Sequence, residues 1–270
     1  MIAENIFIWA PSQRCGTGLL QRLLSSSKEV LIFGEDKLLA EQLPQLMIDH
    51  AEYDDDIKDS ISKLASGDHK GWFPSALPFY EDYLEALTGS FHLLTQAYSK
   101  TAQALGYRFW GSKMPSLSTA QLTAIYTLLP KSRHLFVYRN LFDVMRSIKA
   151  RKWVQDAEAF RTYCHKWFNT LREVGASFDE FDWFYTLSYD QLVQEPEVYT
   201  KKVQEFLGLG VLDLKVFDHK INTFEGNESE GFSENSYVKP ESLNDYESNL
   251  CQQVQDEISK LNLFYFPETK

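Results

Sequence analysis

The stretch NIFIWAPSQRCGTGLLQRLL, residues 5–24, decides how the chain is read. Asn5 to Ala10 is a short apolar run with the length and composition of a buried strand. The loop Pro11-Ser12-Gln13-Arg14-Cys15-Gly16-Thr17-Gly18 follows, and Leu19, Leu20, Leu23 and Leu24 then recur at helical spacing. Ser25 to Lys28 end that helix, and Val30 to Phe33 reads as a second strand closing on Gly34-Glu35-Asp36. Strand, helix and strand in that order predict a parallel sheet with a right-handed crossover. The turn itself predicts an anion site, because a helix N-terminus offers free N–H groups and the positive end of a dipole. Gly16 and Gly18 let the backbone wrap closely, Thr17 adds a hydroxyl donor, and Arg14 adds a fixed charge suited to phosphate or sulfate. The same glycines would also serve simply to turn the chain into a helix, so the loop alone leaves both readings open.

Outward from this opening, residues 38–105 are mostly helical in pattern and include the acidic patch Asp54-Asp55-Asp56 and the aromatics Trp72, Phe73, Phe79, Tyr80 and Tyr83. They read as a helical insertion capping the sheet, its aromatics forming cap core for the most part or lining a pocket. Arg108 to Lys113, His134 to Tyr138 and Trp183 to Leu187 read as further strands; Pro196 to Leu207 is a helix ended by Gly208, and Tyr246 to Leu261 a last helix. Glu225 to Pro240 is polar and loop-like. With no internal repeat and no linker of biased composition, one α/β domain over residues 1–270 is the economical organisation.

Composition narrows the function. Hydrophobic residues make up 44% and aromatics 14%, enough for a substantial core. A net charge of -11 argues against nucleic acid or an anionic membrane as partner, since both demand a positive footprint. No apolar run is long enough to span a bilayer, and no signal peptide opens the chain. The three cysteines, Cys15, Cys164 and Cys251, have neither disulfide nor metal-ligand spacing, so a reducing, cytoplasmic setting is expected.

A second anion pocket is written after the strand ending at Tyr138. Arg139 stands at the strand's carboxyl end, where open α/β sheets bind ligands. Asn140 with Asp143 has the pattern of a helix N-cap with a reciprocal partner. Ser147 and Arg151, four residues apart, share one face of the helix that follows, whereas Arg146 and Lys149 fall on other faces and read as solvated.

Taken together, the two segments resemble the signatures of the sulfotransferases that use 3′-phosphoadenosine-5′-phosphosulfate (PAPS). That family has a strand–loop–helix for the 5′-phosphosulfate and an Arg-x7-Ser after a later strand for the 3′-phosphate, matched here by Arg14 through Leu19 and by Arg139 with Ser147. Tyr189-Asp190-Gln191-Leu192-Val193, with Pro196 close behind, resembles a third family segment. The resemblance implies a P-loop-like parallel sheet flanked by helices. It implies PAPS as donor, 3′,5′-adenosine bisphosphate (PAP) as product, and no required metal. The motif pattern is most similar to the tyrosylprotein and, more loosely, the carbohydrate enzymes. In that subgroup Gly34-Glu35 would supply the general base, Lys113-Met114-Pro115 the catalytic lysine, and Arg14 charge for the transition state and leaving group. Ser233 and Lys239 resemble part of the subgroup's late cofactor-covering loop, and Tyr189 would pack near the nucleotide. Cys15 replaces the usual serine and reads as a plain small-residue substitution; the alternative is a thiol acidified beside Arg14 at a helix N-terminus and open to alkylation.

The acceptor implied is a hydroxyl of a peptide tyrosine, a carbohydrate or a small molecule. Two rivals stay open: a nucleotide-dependent kinase of the P-loop class, disfavoured by the missing Gly-x-x-x-x-Gly-Lys-Ser/Thr spacing, and a non-catalytic nucleotide-binding protein. His134 begins a buried strand and reads as a core or edge residue.

Overall fold

The computed structural model describes residues 5–68, 70–178, 181–218 and 240–266. Five parallel strands form the centre: β1 (Asn5–Trp9), β2 (Val30–Phe33), β3 (Phe109–Lys113), β4 (Ser132–Tyr138) and β5 (Phe184–Ser188), in the order β2-β3-β1-β4-β5. The expected parallel sheet is thus present, with β3 inserted between the first two strands: Ile6 pairs with Gly111, and Ile32 with Gly111 from the other side. Residues of β1 from Ile6 to Trp9 are buried on both faces, as a central parallel strand requires.

From β1 the chain departs through α1 (Thr17–Ser25) toward β2, whereas from β4 it departs through α6 (Leu141–Ala150) toward β5, on the opposite side. The carboxyl ends of β1 and β4 therefore flank a topological switch point, the crevice where sheets of this kind bind ligands. Both anion motifs open onto it.

The described part of residues 38–105 is mostly helical: a short π-helical turn (Leu38–Gln42), α2 (Leu43–Glu52), α3 (Asp54–Ala65) and α4 (Tyr80–Ala104). Of these, α4 packs on β3 and α2 packs on α5 (Thr119–Leu128). Beyond β4 lie α7 (Ala157–Ser177), α8 (Tyr189–Gln194), α9 (Pro196–Leu207) and α10 (Asp245–Ser259), and α10 packs on both α6 and α7. The end of α9 is set by Gly208 at φ 67, a left-handed cap that favours glycine.

Helices α5 and α7 are absent from the elements read from sequence above, although their signals are plain. Ser118 and Gln121 form a reciprocal capping box ahead of Leu122, Ile125 and Leu128. Phe160, Cys164, Trp167, Leu171 and Val174 repeat at steps of four and three behind the cap Asp156. Among the described residues, no helix is long and apolar enough to cross a membrane.

Candidate active site

The phosphate loop is built tightly around two residues in left-handed backbone conformation, Arg14 at φ 72 and Gly16 at φ 106. At Gly16 the reason is visible: a Cβ there would lie 2.2 Å from Cδ2 of Tyr189, whose ring closes over the turn. For Arg14 the conformation costs about 1–2 kcal/mol, and neighbours on either side hold it. Ser12 Oγ and Cys15 Sγ lie 3.4 Å apart, and Tyr163 on α7 donates to the Gln13 side chain at 2.5 Å. Cys15 is fully buried, and burial pushes its thiol up to about 11, so the thiol is not acidified and the residue is the plain small-residue substitution. Desolvation outweighs the stabilising charge of Arg139, and the residue serves as a small core anchor. Thr17 and Gly18 begin α1 behind the turn, with Leu19 N–H donating to Gly16 O at 3.0 Å.

On the other side of the crevice, Asn140 caps α6 as its sequence predicts, its Oδ1 accepting from Asp143 N–H at 2.9 Å. The buried Asp190, on α8, accepts from Asn140 N–H at 3.0 Å and from Asn140 Nδ2 at 3.1 Å. Burial raises the Asp190 carboxyl above its usual range, against the lowering effect of these hydrogen bonds and of Arg139. Gln255, on α10, accepts from Leu141 N–H at 2.9 Å. The amino end of α6 is thus occupied by the protein's own acceptors, and Asn140, Leu141 and Asp143 N–H are already engaged.

Side chains of the two motifs converge. Arg14 Nε donates to Ser147 Oγ at 2.9 Å, joining the loop after β1 to the helix after β4. Burial first, then the positive charges of Arg151 and Arg139, lower the Arg14 guanidinium from its usual value. The Arg139 guanidinium stacks 4.7 Å above the Tyr189 ring and reaches Asp143 at 3.1 Å. Its Nε is buried with no hydrogen-bond partner among the described residues. Three arginines share this corner with a serine hydroxyl, and a buried donor awaits an acceptor. The residues fit a terminal phosphate, which carries nearly two negative charges and three acceptor oxygens. Lys149 is not the solvated residue expected: it pairs with Glu247 of α10 at 2.6 Å.

A third group lies at the carboxyl ends of β2 and β3. Lys113 Nζ and Glu35 Oε1 are 2.7 Å apart, with the lysine side chain 18% and the glutamate 45% exposed. The loop carrying Glu35 is pinned from both ends. Ser112 Oγ donates to Gly34 O at 3.0 Å. Asp36 accepts from Tyr98 of α4 and, at 2.9 Å, from Leu38 N–H. The Lys113-Met114-Pro115 turn is tied to the strand leading into the phosphate loop, because Met114 and Ser116 donate to Ile8 O and Ala10 O, each at 2.9 Å.

Beside the phosphate loop a cleft of about 440 Å³ opens between the segment after α6 and the first turns of α7. Trp153, Val154, Thr162, Tyr163 and Lys166 are among its walls, and Tyr163 connects it to Gln13. The aromatics of the insertion behave as cap core in part: Tyr83 stacks on His50 at 4.0 Å, whereas Trp72 is 89% exposed. Among the described residues no group of three or more His, Cys, Asp or Glu side chains is placed to hold a metal ion.

Arg14, Cys15, Gly16, Thr17, Gly18, Leu19, Arg139, Ser147, Arg151 and Tyr189 therefore gather around one crevice, with Glu35 and Lys113 paired at the neighbouring strand ends. Ser233 and Lys239 lie outside the described residues. Sequence reasoning missed Tyr163 and Gln255; Tyr163 adjoins Cys164 and Gln255 lies four residues after Cys251, and no local pattern marks either as polar support for a distant segment.

The model of the Sulfotransferase family matches residues 6–213, a span that holds all of these groups except Ser233, Lys239 and Gln255. No curated protein matches the sequence. Among solved structures, retinol dehydratase in a complex with retinol and PAP is similar over 99% of this chain and 84% of that one, with TM-score 0.55 and 14% identity. The sulfotransferase domain of the Synechococcus PCC 7002 olefin synthase is similar over 98% and 97%, with TM-score 0.51 and 13% identity. These likenesses speak for the fold, a parallel sheet flanked by helices with P-loop-like architecture. With the family model covering most of its length, the chain belongs to the sulfotransferase family.

Proposed function

We propose that the protein transfers a sulfuryl group from PAPS to a hydroxyl of an acceptor, with Glu35 as general base. The observation that carries this reading is the hydrogen bond from Arg14 to Ser147. It brings the loop for a 5′-phosphosulfate and the Arg139–Ser147 pair for a 3′-phosphate into one crevice, an arrangement suited to a nucleotide phosphorylated at both positions. When bound, the donor supplies the sulfuryl group for in-line transfer. Glu35 uses Oε2 to take the acceptor's proton, its Oε1 being held by Lys113. Lys113 carries the positive charge that steadies the oxygen left behind, and Arg14 adds charge to the same pocket. Gly16 to Leu19 would hold the 5′ end through backbone N–H groups; Arg139, Ser147 and Arg151 would hold the 3′ end, with Tyr189 packed between loop and guanidinium.

The paired Glu35 and Lys113 support kinship with the tyrosylprotein and carbohydrate enzymes in chemistry. The acceptor we favour is a small hydroxylated molecule. The cleft beside Tyr163 has the size of a small-molecule site, and one structural neighbour is crystallised with retinol and with androsterone. Three free, buried cysteines support a reducing, cytoplasmic setting.

Thermal unfolding with PAP, ATP–magnesium or 5′-AMP tests the donor. PAP at a hundred times its dissociation constant adds about 2.7 kcal/mol, a shift of roughly 5 °C for a chain this long; 5′-AMP at the same concentration gives far less. Stabilisation by ATP–magnesium alone would move the assignment to a kinase. Glu35→Gln is expected to keep the PAP shift and lose about 100-fold in sulfation of a panel of phenols, sterols and sugars. An undiminished rate removes Glu35 as the base.

A further inference from the structure

Strand β2 is an edge of the sheet, so the Gly34-Glu35-Asp36 loop that leaves it has a neighbouring strand on one side only. On that side Ser112 Oγ donates to Gly34 O at 3.0 Å. Among the described residues nothing lies within 4 Å of where a Gly34 Cβ would sit, and the Glu35 side chain is 45% exposed. Such a loop has little packing of its own to fix the direction of a carboxylate. The other side is closed by α4. Tyr98 donates its hydroxyl to Asp36 Oδ2, while Asp36 Oδ1 accepts from Leu38 N–H at 2.9 Å and Leu39 N–H at 3.3 Å. Both oxygens of Asp36 are therefore engaged, one by the helical turn that follows and one by a residue 62 positions further on. The Tyr98 ring stacks on the buried Trp110 of β3 at 4.9 Å and meets Phe33 of β2 edge-on at 4.9 Å. Its hydroxyl is thus placed by the two strands whose ends carry Glu35 and Lys113. Burial, then the hydrogen bond and charge of Asp36, raise that hydroxyl above its ordinary value, so it stays a donor at neutral pH.

We propose that Tyr98 is a positioning residue for the general base, fixing the backbone at Glu35 through Asp36. This inference rests on the reading of Glu35 as the base. A base works only within hydrogen-bond reach of the proton it takes, about 2.6–3.2 Å, and a misplacement of about 1 Å can cost about 100-fold. Lys113 holds Glu35 Oε1 at 2.7 Å, but its ammonium rides on a flexible four-carbon stem, so the pair can drift together unless the backbone is fixed. Fixing it is the part left to Asp36, the residue next to the base. The ring and the hydroxyl of Tyr98 divide the work: the ring helps pack α4 on β3, and the hydroxyl alone reaches the loop.

Tyr98→Phe separates the two, because it keeps both ring contacts and removes only the hydroxyl. Backbone nitrogen relaxation reads the positioning directly and needs no acceptor. The order parameter at Glu35 is expected to fall from about 0.85 toward 0.6 in Tyr98→Phe, while Asn140, across the sheet, is unchanged. The PAP thermal shift should stay at its wild-type size. In sulfation assays Tyr98→Phe should lower kcat about tenfold and leave the KM for PAPS within twofold. Placed in the Glu35→Gln background, the same substitution should change kcat less than twofold, since there is no base left to position. A Glu35 that stays rigid in Tyr98→Phe overturns the inference. So does a tenfold loss in both backgrounds, which would make the hydroxyl a support of the fold at large. An undiminished kcat in Glu35→Gln alone removes the base reading instead, and with it the catalytic meaning of the restraint.

Discussion

Acid should destabilise the fold of this protein through His134. The imidazole is wholly buried between Phe7, Trp9 and Trp183. Trp9 Nε1 donates to His134 Nδ1 at 2.7 Å, so Nδ1 carries no proton and the ring is neutral with its hydrogen on Nε2. Nε2 faces Ser132 Oγ at 2.7 Å, and that hydroxyl passes its own hydrogen to Leu129 O. A second proton would have to enter Nδ1 against the indole N–H. Burial alone pushes the group down to about 3, against about 6.5 in an unfolded chain. The unfolded state therefore binds a proton first as pH falls. The neutral histidine's contribution is fully present above about pH 6.5 and is lost toward the folded value, at about 1.4 kcal/mol per pH unit. Between pH 8 and pH 5 the loss is about 2 kcal/mol. Urea unfolding at pH 8, 7, 6 and 5 of wild type and His134→Gln isolates it, because the glutamine accepts from Trp9 but does not titrate, and carboxylate effects common to both cancel. The stability difference between the two should shrink by about 2 kcal/mol on acidification. Long-range nitrogen–proton correlation spectra give a second readout, in which the neutral Nε2–H form should persist to pH 4. A difference that stays flat, or an imidazolium seen near pH 6, refutes the argument. Because the folded ring stays neutral over this range, His134 should leave the PAP affinity of the folded protein unchanged between pH 8 and pH 5.

Two further substitutions probe the scaffold of the site. Gly16→Ala combines a left-handed φ with a Cβ 2.2 Å from the Tyr189 ring, so it should cost several kcal/mol or eject the ring; urea unfolding reads the first, and loss of the PAP thermal shift reads either. Gln255→Leu leaves Leu141 N–H without its acceptor in the core, a cost of about 1–3 kcal/mol. PAP affinity should fall with it, whereas a Gln255→Glu variant, which retains an acceptor, should recover much of both.

How much of this was legible depended on whether the signal was local. The loop Arg14 to Gly18, the Asn140 cap and the Gly208 stop are read correctly because each is written within a few residues. Strand β4 is two residues longer than its apolar core suggests, because Ser132 and Arg133 pair with β1 despite their polarity. Helix α7, by contrast, carries a fully local period of buried residues from Phe160 to Val174. Of the two readings of Cys15 the plain small-residue substitution holds, for a physical reason: its side chain turns inward, where desolvation overrides the charge of the neighbouring arginines. The solvated reading of Lys149 failed, since its partner Glu247 arrives from a helix 98 residues away. The meeting of Arg14 with Ser147 spans 133 residues and follows only from the order of the strands.

That meeting bears on how the crevice discriminates between ligands. At α1 the recognition surface is backbone, the turn around Gly16, and it suits any compact anion that fits the cradle. At α6 the corresponding backbone groups are taken: Asn140 N–H by Asp190, Leu141 N–H by Gln255 and Asp143 N–H by Asn140. Anion binding there must use guanidinium and hydroxyl groups, whose fork geometry and full charge favour a terminal dianion over a singly charged diester. On the proposed PAPS reading, selectivity for a nucleotide with a 3′-phosphate would be a property of the second site, and its precision would depend on how firmly α6 is held. Asp190 and Gln255 hold the amino end of that helix, and Glu247 holds Lys149 near its carboxyl end. Helix α10 supplies two of these three contacts although it carries neither anion motif, so displacing it should relax nucleotide choice before it disturbs the paired Glu35 and Lys113 across the sheet.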